Sequence, residues 1–225
     1  MPDTPTDTLI VIPVYNAAPR LPELIARLQP LLSSCDLVFI DDGSTDNSVP
    51  LLRKAGLPVL VHPDNRGKGA ALRSGFRYAL DRDYRMVLTL DADLQHRPEE
   101  ASRLLAAGSD RSLVLGTRTI GATHMPWPRR LSNNLTSLLI SVFTGRRIRD
   151  SQSGFRFIPV ELLRRLILSA DRFDLESELL LKAGAVGFAI TGVPVSTVYE
   201  GSPSNISHLA DTLRFIRQLW RRIWL

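Results

Sequence analysis

The feature that most constrains the fold is an alternation. In the first half of the chain, short runs that are apolar on both faces alternate with longer stretches that are apolar on one side only. The short runs, residues 8–14, 37–40, 59–61, 86–90 and 113–117, are rich in Val, Ile and Leu. They lack the polar–apolar period of a strand with one wet face, so they predict strands buried between two helical layers. The stretches between them, residues 21–32, 47–54, 68–80 and 98–106, predict helices. In the third, Ala71, Leu72, Gly75, Phe76, Ala79 and Leu80 recur at helical spacing. Alternating β and α units predict an α/β chain with a Rossmann-like, mostly parallel sheet flanked by helices, in a single domain.

Past residue 117 the pattern loosens. Residues 119–128, with Gly121, Pro126 and Pro128, read as a loop, expected to close as a lid over a bound ligand. Residues 131–143 read as a helix apolar nearly all round, and 155–158 as a short strand. Residues 159–168 and 175–186 read as helices, and 188–198 as extended segments around Pro194. Residues 208–225 read as a last helix. There, Leu209, Leu213, Ile216, Trp220 and Ile223 form one stripe flanked by Arg214, Arg217 and Arg221. Basic residues beside Trp and Leu suit a helix lying on an anionic membrane surface, while the same stripe could equally dock onto protein.

No apolar run reaches the roughly 18–20 residues that span a bilayer. The first residues show no secretory pattern, and the single cysteine, Cys35, excludes an internal disulfide and a cysteine-rich metal site. The expectation is a reducing, cytoplasmic setting. The net charge of +5 is unevenly placed, with Arg129, Arg130, Arg146, Arg147, Arg149 and the last twelve residues carrying the excess. Local patches of this kind fit an anionic ligand or surface better than a nucleic acid.

Ligands of open parallel sheets bind beyond the carboxyl ends of the strands. The residues there are Tyr15-Asn16, Asp41-Asp42-Gly43-Ser44, Asn65-Arg66-Gly67-Lys68-Gly69, Asp91-Ala92-Asp93-Leu94-Gln95-His96 and Gly116-Thr117-Arg118. Asp91 and Asp93, two residues apart after a buried strand, can converge on a hard cation, with Gln95 a neutral oxygen beside them. They could instead cap the following helix. Asp41 and Asp42 read evenly as turn chemistry or as acceptors for a base or ribose. Gly67-Lys68-Gly69 lacks both glycine fingerprints of nucleotide binding and reads only weakly as a phosphate contact. The histidines show no ligand spacing, and none is assigned to chemistry.

Six segments, Val11-Ile12-Pro13-Val14-Tyr15-Asn16, Ile40-Asp41-Asp42-Gly43-Ser44-Thr45-Asp46, Asn65-Arg66-Gly67-Lys68-Gly69-Ala70, Asp91-Ala92-Asp93-Leu94-Gln95-His96, Gly116-Thr117-Arg118 and Ser153-Gly154-Phe155-Arg156, occur in that order. Together they resemble the family 2 inverting glycosyltransferases of GT-A fold, in the branch of dolichyl-phosphate mannose synthase and bacterial polyprenyl-phosphate glycosyltransferases. The resemblance covers about residues 8–205. It implies a catalytic domain over 1–205, with a nucleotide-binding half at 1–118 and an acceptor half at 119–205, followed by a basic amphipathic helix at 206–225. It implies that Pro13, Tyr15, Asp41 and Asp42 hold the nucleoside of a UDP- or GDP-sugar. Asp91, Asp93 and Gln95 would hold Mg²⁺ or Mn²⁺, with Ala92 and Lys68 lining the donor site. Arg118 and Arg129 or Arg130 would meet donor or acceptor phosphates. Two positions depart from the family: Ala17 stands where Glu is usual, and Tyr199-Glu200-Gly201-Ser202 replaces a basic segment.

The activity so implied is transfer of a sugar, with inversion, to a lipid-linked acceptor. A polyprenyl phosphate needs no strong base because its oxygen is already ionised; a hydroxyl acceptor needs one. Asp150 and the run Asp174-Leu175-Glu176-Ser177-Glu178 are the candidates, Glu176 among them, although acidic residues also favour a solvated helix start. The expected location is the inner face of the membrane, with peripheral contact and the oligomeric state left open. A nucleotide-binding oxidoreductase and a non-catalytic basic module are the competing classes.

Overall fold

The structure is a computed structural model that describes residues 6–118, 127–171 and 174–197, with the backbone alone for residues 127–132. Among the described residues, seven strands lie in one sheet: β1 (Thr8–Val14), β2 (Asp36–Asp41), β3 (Val59–Val61), β4 (Met86–Thr89), β5 (Ser112–Arg118), β6 (Arg156–Pro159) and β7 (Ala189–Val195). Their order is β3-β2-β1-β4-β6-β5-β7. β1 pairs in parallel with β2 and β4, and β5 in parallel with β7; β6 alone is antiparallel to both its neighbours. The α-helices among the described residues are α1 (Leu21–Leu28), α2 (Ser48–Lys54), α3 (Lys68–Leu80), α4 (Ala101–Ala107), α5 (Trp127–Thr144), α6 (Val160–Arg165) and α7 (Asp174–Ala185).

The period of two along β1 sorts the core. Leu9 and Val11 join one cluster with Ala71, Phe76, Leu162 and Leu179, under α3, α6 and α7. Ile10 and Ile12 join the other with Leu21, Leu24, Leu28 and Leu104, under α1 and α4. Each face buries a separate apolar layer, which is why the inner strands carry no polar side. β3 is the exception: as an edge strand it leaves Leu60 and Val61 exposed, correcting the expectation that it is covered on both faces. Pro194 sits in the other edge strand, β7, where a missing N–H breaks no inner ladder.

Several boundaries move. Pro30 ends α1 early, and the chain continues as a 3-10 turn over Gln29–Ser33. α5 begins at Trp127, inside the expected loop, and is buried on one side rather than all round. The acidic start of α7 is not a solvated face: Glu176 and Glu178 are buried. The expected lid at 119–126, the segment at 198–205 and the C-terminal helix at 206–225 lie outside the described residues. Residues of the expected acceptor half supply β6 and β7, so the two halves share one sheet.

Candidate active site

Because β1, β2, β4 and β5 run the same way, their carboxyl ends share one edge, and β6 begins there. The turn after β2 is locked by its own side chains. Asp41 Oδ2 accepts the Ser44 N–H at 3.0 Å. Asp42 accepts three bonds: from His62 Nδ1 at 2.8 Å and from the backbone N–H groups of Arg66 (3.1 Å) and Gly67 (2.7 Å). The other ring nitrogen of His62 lies 2.9 Å from the Ser74 hydroxyl on α3. Gly43 has φ +73°, and a Cβ there would sit 2.5 Å from the Asp64 backbone carbon, so only glycine lets these loops meet. The turn after β1 is stapled to the same region. Asn16 and Ala17 donate to the Ser44 and Ser48 hydroxyls, and Ala17, where Glu is usual in the family, is buried. Pro13 is half-buried at this end of β1 and Tyr15 is exposed beside it.

Gly67 starts α3 with φ +96°, and Lys68 opens the helix. Its ammonium lies 2.7 Å from Asp91 Oδ1 and 2.9 Å from Glu176 Oε1. Burial would lower the lysine's pKa, but the two carboxylates outweigh it and hold the group well above its ordinary value. Burial would likewise raise Asp91, and the Lys68 charge outweighs it, so Asp91 stays below the usual carboxylate range. Asp93 is half-buried, and its carboxyl is pushed up by burial and by the Asp91 charge. Its Oδ1 accepts the Gln95 N–H at 3.0 Å, which turns the loop tightly; Ala92 is buried beneath. Gly154 permits the approach of β6: a Cβ there would lie 2.2 Å from Asp91 Oδ2. Thr89 fixes that segment by donating to the Gly154 carbonyl at 2.7 Å.

At the end of β5, Arg118 forms a two-bond fork on Asp150, with Nε and Nη2 each 2.6 Å from a carboxylate oxygen. Burial would raise Asp150, and the Arg118 hydrogen bonds more than reverse it. The Arg118 backbone N–H at 3.3 Å and Asn133 of α5 at 3.1 Å add two more bonds to Asp150. Arg129 and Arg130 stand in the first turn of α5, and their side chains lie outside the described residues.

The edge therefore brings together Pro13, Tyr15, Asp41, Asp42, Lys68, Asp91, Ala92, Asp93, Gln95, Arg118 and Glu176. It also contains residues that sequence reasoning misses. Arg156 is fully buried and donates three bonds of 2.7 Å to the carbonyls of Ser151, Ser153 and Glu176, tying β6 to α7. His96 is buried against the Phe155 ring, and burial lowers its pKa to about 4, so it is neutral near pH 7. His62 joins Asp42 to α3. Arg156 stands in one of the six segments, but nothing local marks it as buried, and His62 carries no local signal at all.

Comparison with known proteins gives the family. The model of glycosyl transferase family 2 matches residues 9–169. The chain is 35% identical over 202 residues to polyprenol monophosphomannose synthase of Mycolicibacterium smegmatis, covering 84% of this chain and 76% of that one. It is 29% identical over 201 residues to undecaprenyl-phosphate mannosyltransferase of Micrococcus luteus, covering 84% and 83%. Among solved structures, glucosyl-3-phosphoglycerate synthase of Mycobacterium tuberculosis, in complex with Mn²⁺, UDP and phosphoglyceric acid, superposes with a TM-score of 0.76. At 21% identity, covering 96% of this chain and 78% of that one, it shows a shared GT-A fold. A sheet of this order, an acidic turn at the carboxyl ends of its strands and a family match over most of the chain agree: this protein belongs to glycosyltransferase family 2.

Proposed function

We propose that this enzyme transfers one hexose, with inversion, from a UDP- or GDP-sugar to a polyprenyl phosphate at the inner, cytoplasmic face of a membrane. The relatives named above are a polyprenol and an undecaprenyl-phosphate mannosyl enzyme, which supports that acceptor class. The observation that carries it is the state of the buried carboxylates. Asp150 is forked by Arg118 and Glu176 is held by Lys68. Glu178 is likewise paired with Lys182, so three of the four expected bases are engaged by cations, and a phosphate acceptor, already ionised, asks for no base.

Asp91, Asp93 and Gln95 would hold Mg²⁺ or Mn²⁺, and the residues fit. The raised pKa of Asp93 beside the Asp91 charge marks a pair that an added cation would relieve. Among the described residues no three His, Cys, Asp or Glu side chains converge on a metal position. Two carboxylates completed by substrate phosphate oxygens is the usual manner of Mg²⁺. When bound, such a cation stabilises the charge that develops on the departing nucleoside diphosphate.

The chain's own residues do the rest. The turns at Pro13, Tyr15, Asp41 and Asp42 receive the nucleoside. Asp41 keeps one buried oxygen, Oδ1, without a partner among the described residues, which suits a base or ribose donor. Lys68 keeps Asp91 ionised and adds positive charge beside the diphosphate. Asp150 fixes the plane of Arg118, so that with Arg129 or Arg130 it meets phosphate oxygens at the β5 end. Glu176 acts as a positioning residue for Lys68.

Nucleotide release from a panel of UDP- and GDP-sugars, with and without a polyprenyl phosphate and with Mn²⁺ or EDTA, tests the reading. Release that depends on one donor, the lipid phosphate and the cation is expected. Transfer to a lipid or glycan hydroxyl, with none to the phosphate, would overturn the acceptor and return a base to the mechanism.

A further inference from the structure

Helix α5 is amphipathic in the inverted sense. Its inward side is polar: Asn133, Thr136 and Ser137 are buried there with Ile140, and Ser137 donates to the Ser151 hydroxyl. Its outward side carries Leu135, Leu138, Val142 and Phe143, exposed by 45%, 60%, 70% and 53%. Spacings of three and four put Leu135, Leu138 and Val142 on one arc, opposite the buried set, and Phe143 adds an exposed ring in the last turn, outside that arc. Water alone favours the reverse arrangement, and a contiguous apolar face of this kind marks a surface that something covers.

The charge beside the face has one sign. Gly145, with φ +63°, ends the helix. Arg146, Arg147 and Arg149 follow, all exposed and without an ion pair among the described residues. Between Asp110 and Asp150 the chain has no Asp or Glu, and Asp150 is buried against Arg118. A second copy docked by this face would set these arginines beside their equals. The chain's own segment 206–225 carries Arg214, Arg217, Arg221 and Arg222 and has the same sign. An apolar face with an unopposed basic margin is complementary to lipid tails beneath anionic headgroups.

We propose that this face of α5, with Arg146, Arg147 and Arg149, seats the enzyme on an anionic lipid bilayer. The opposite side of the same helix reaches Asp150, which holds Arg118 at the active edge. A phosphate carried by a lipid in that bilayer would thus meet the strand ends directly. This use of the surface rests on the acceptor reading above; the surface itself is measured without it.

The test is flotation of the full chain with vesicles of equal parts phosphatidylglycerol and phosphatidylcholine, against phosphatidylcholine alone, at low and high salt. Binding to the anionic vesicles is expected, weakened on the order of tenfold by high salt or by neutral lipid. Two variants, Leu138→Glu/Val142→Glu and Arg146→Gln/Arg147→Gln, should each weaken it at least as much. The first should also lose transfer to acceptor embedded in vesicles while keeping transfer to a short, water-soluble polyprenyl phosphate. Failure of the unaltered chain to bind, or binding by both variants at its level, overturns the proposal; in the second case residues 206–225 are the contact. A lipid-free dimer that Leu138→Glu/Val142→Glu turns into monomers also overturns it, since a second copy then covers the face. Vesicle binding that behaves as expected, with no transfer to any polyprenyl phosphate, sinks the acceptor reading and leaves the surface standing.

Discussion

Two acidic turns flank β1 at the candidate active edge, and they differ in what their carboxylates touch. Asp41-Asp42 follows β2; Asp42 has three protein donors, and its turn clamps the loop that starts α3. Asp91-Ala92-Asp93 follows β4; there Asp91 faces a lysine, and Asp93 is held by one backbone N–H and pressed by its neighbour's charge. Residue type and topological position are the same. A carboxylate saturated by protein donors builds the turn, whereas two carboxylates sharing too little positive charge are, in the function proposed above, the ones that would receive a cation.

The hardest test of that contrast is Asp93→Ala. It should cut transfer on the order of a thousandfold, the scale of losing one anchor of a metal-stabilised leaving group, with the far-UV spectrum unchanged. Full activity of this variant in EDTA would make the second turn as structural as the first.

Lys68→Met comes next, because it leaves the half-buried Asp91 and the buried Glu176 without their cation. Urea unfolding should show a loss of about 3 kcal/mol. Mn²⁺ should restore part of it, since a bound cation favours the folded state. A loss that Mn²⁺ does not touch would separate the lysine site from the metal site.

Asp42→Ala should cost about 2 kcal/mol by stranding the Arg66 and Gly67 N–H groups. It should raise the donor KM more than it lowers kcat, because nucleoside contacts are made equally in ground and transition states. A large fall in kcat at unchanged KM would count against its place in the nucleoside turn.

The smallest effect is a gain. The folded-state pKa of Asp93 is raised, so between the ordinary value of 3.8 and its own the folded protein binds more protons than the unfolded chain. Stability from this group therefore falls as pH rises through that window. In metal-free protein, Asp93→Asn should be slightly more stable than the parent at neutral pH, and the gain should vanish below about pH 3.8. Equal unfolding midpoints at every pH would mean that Asp91 does not strain its neighbour.

Much of this arrangement is legible in the residues themselves. β1, β3 and α3 fall where their local patterns end, and the strand-end segments meet at one edge because parallel strands must deliver them there. Glu176 is within reach as an acidic residue, but not its partner: Lys68 lies 108 positions away, and only the packing of α3 and α7 over the sheet brings the two together. Arg156 shows the same limit. A charged residue in a short strand reads as surface, and its burial depends on three carbonyls that no spacing announces.

The amino-acid order alone dictates the alternation of strand and helix, the family and the acidic edge, because periodicity and turn chemistry are written in neighbouring residues. Long-range packing is what settles the reversed strand β6 between β4 and β5, the Asp91–Lys68–Glu176 cluster and which side of α5 faces out. A helical period says which side chains share a face. Whether that face meets core, solvent or lipid depends on what the rest of the chain places against it, and in α5 the polar side is the one that Asp150 and Ser151 draw inward.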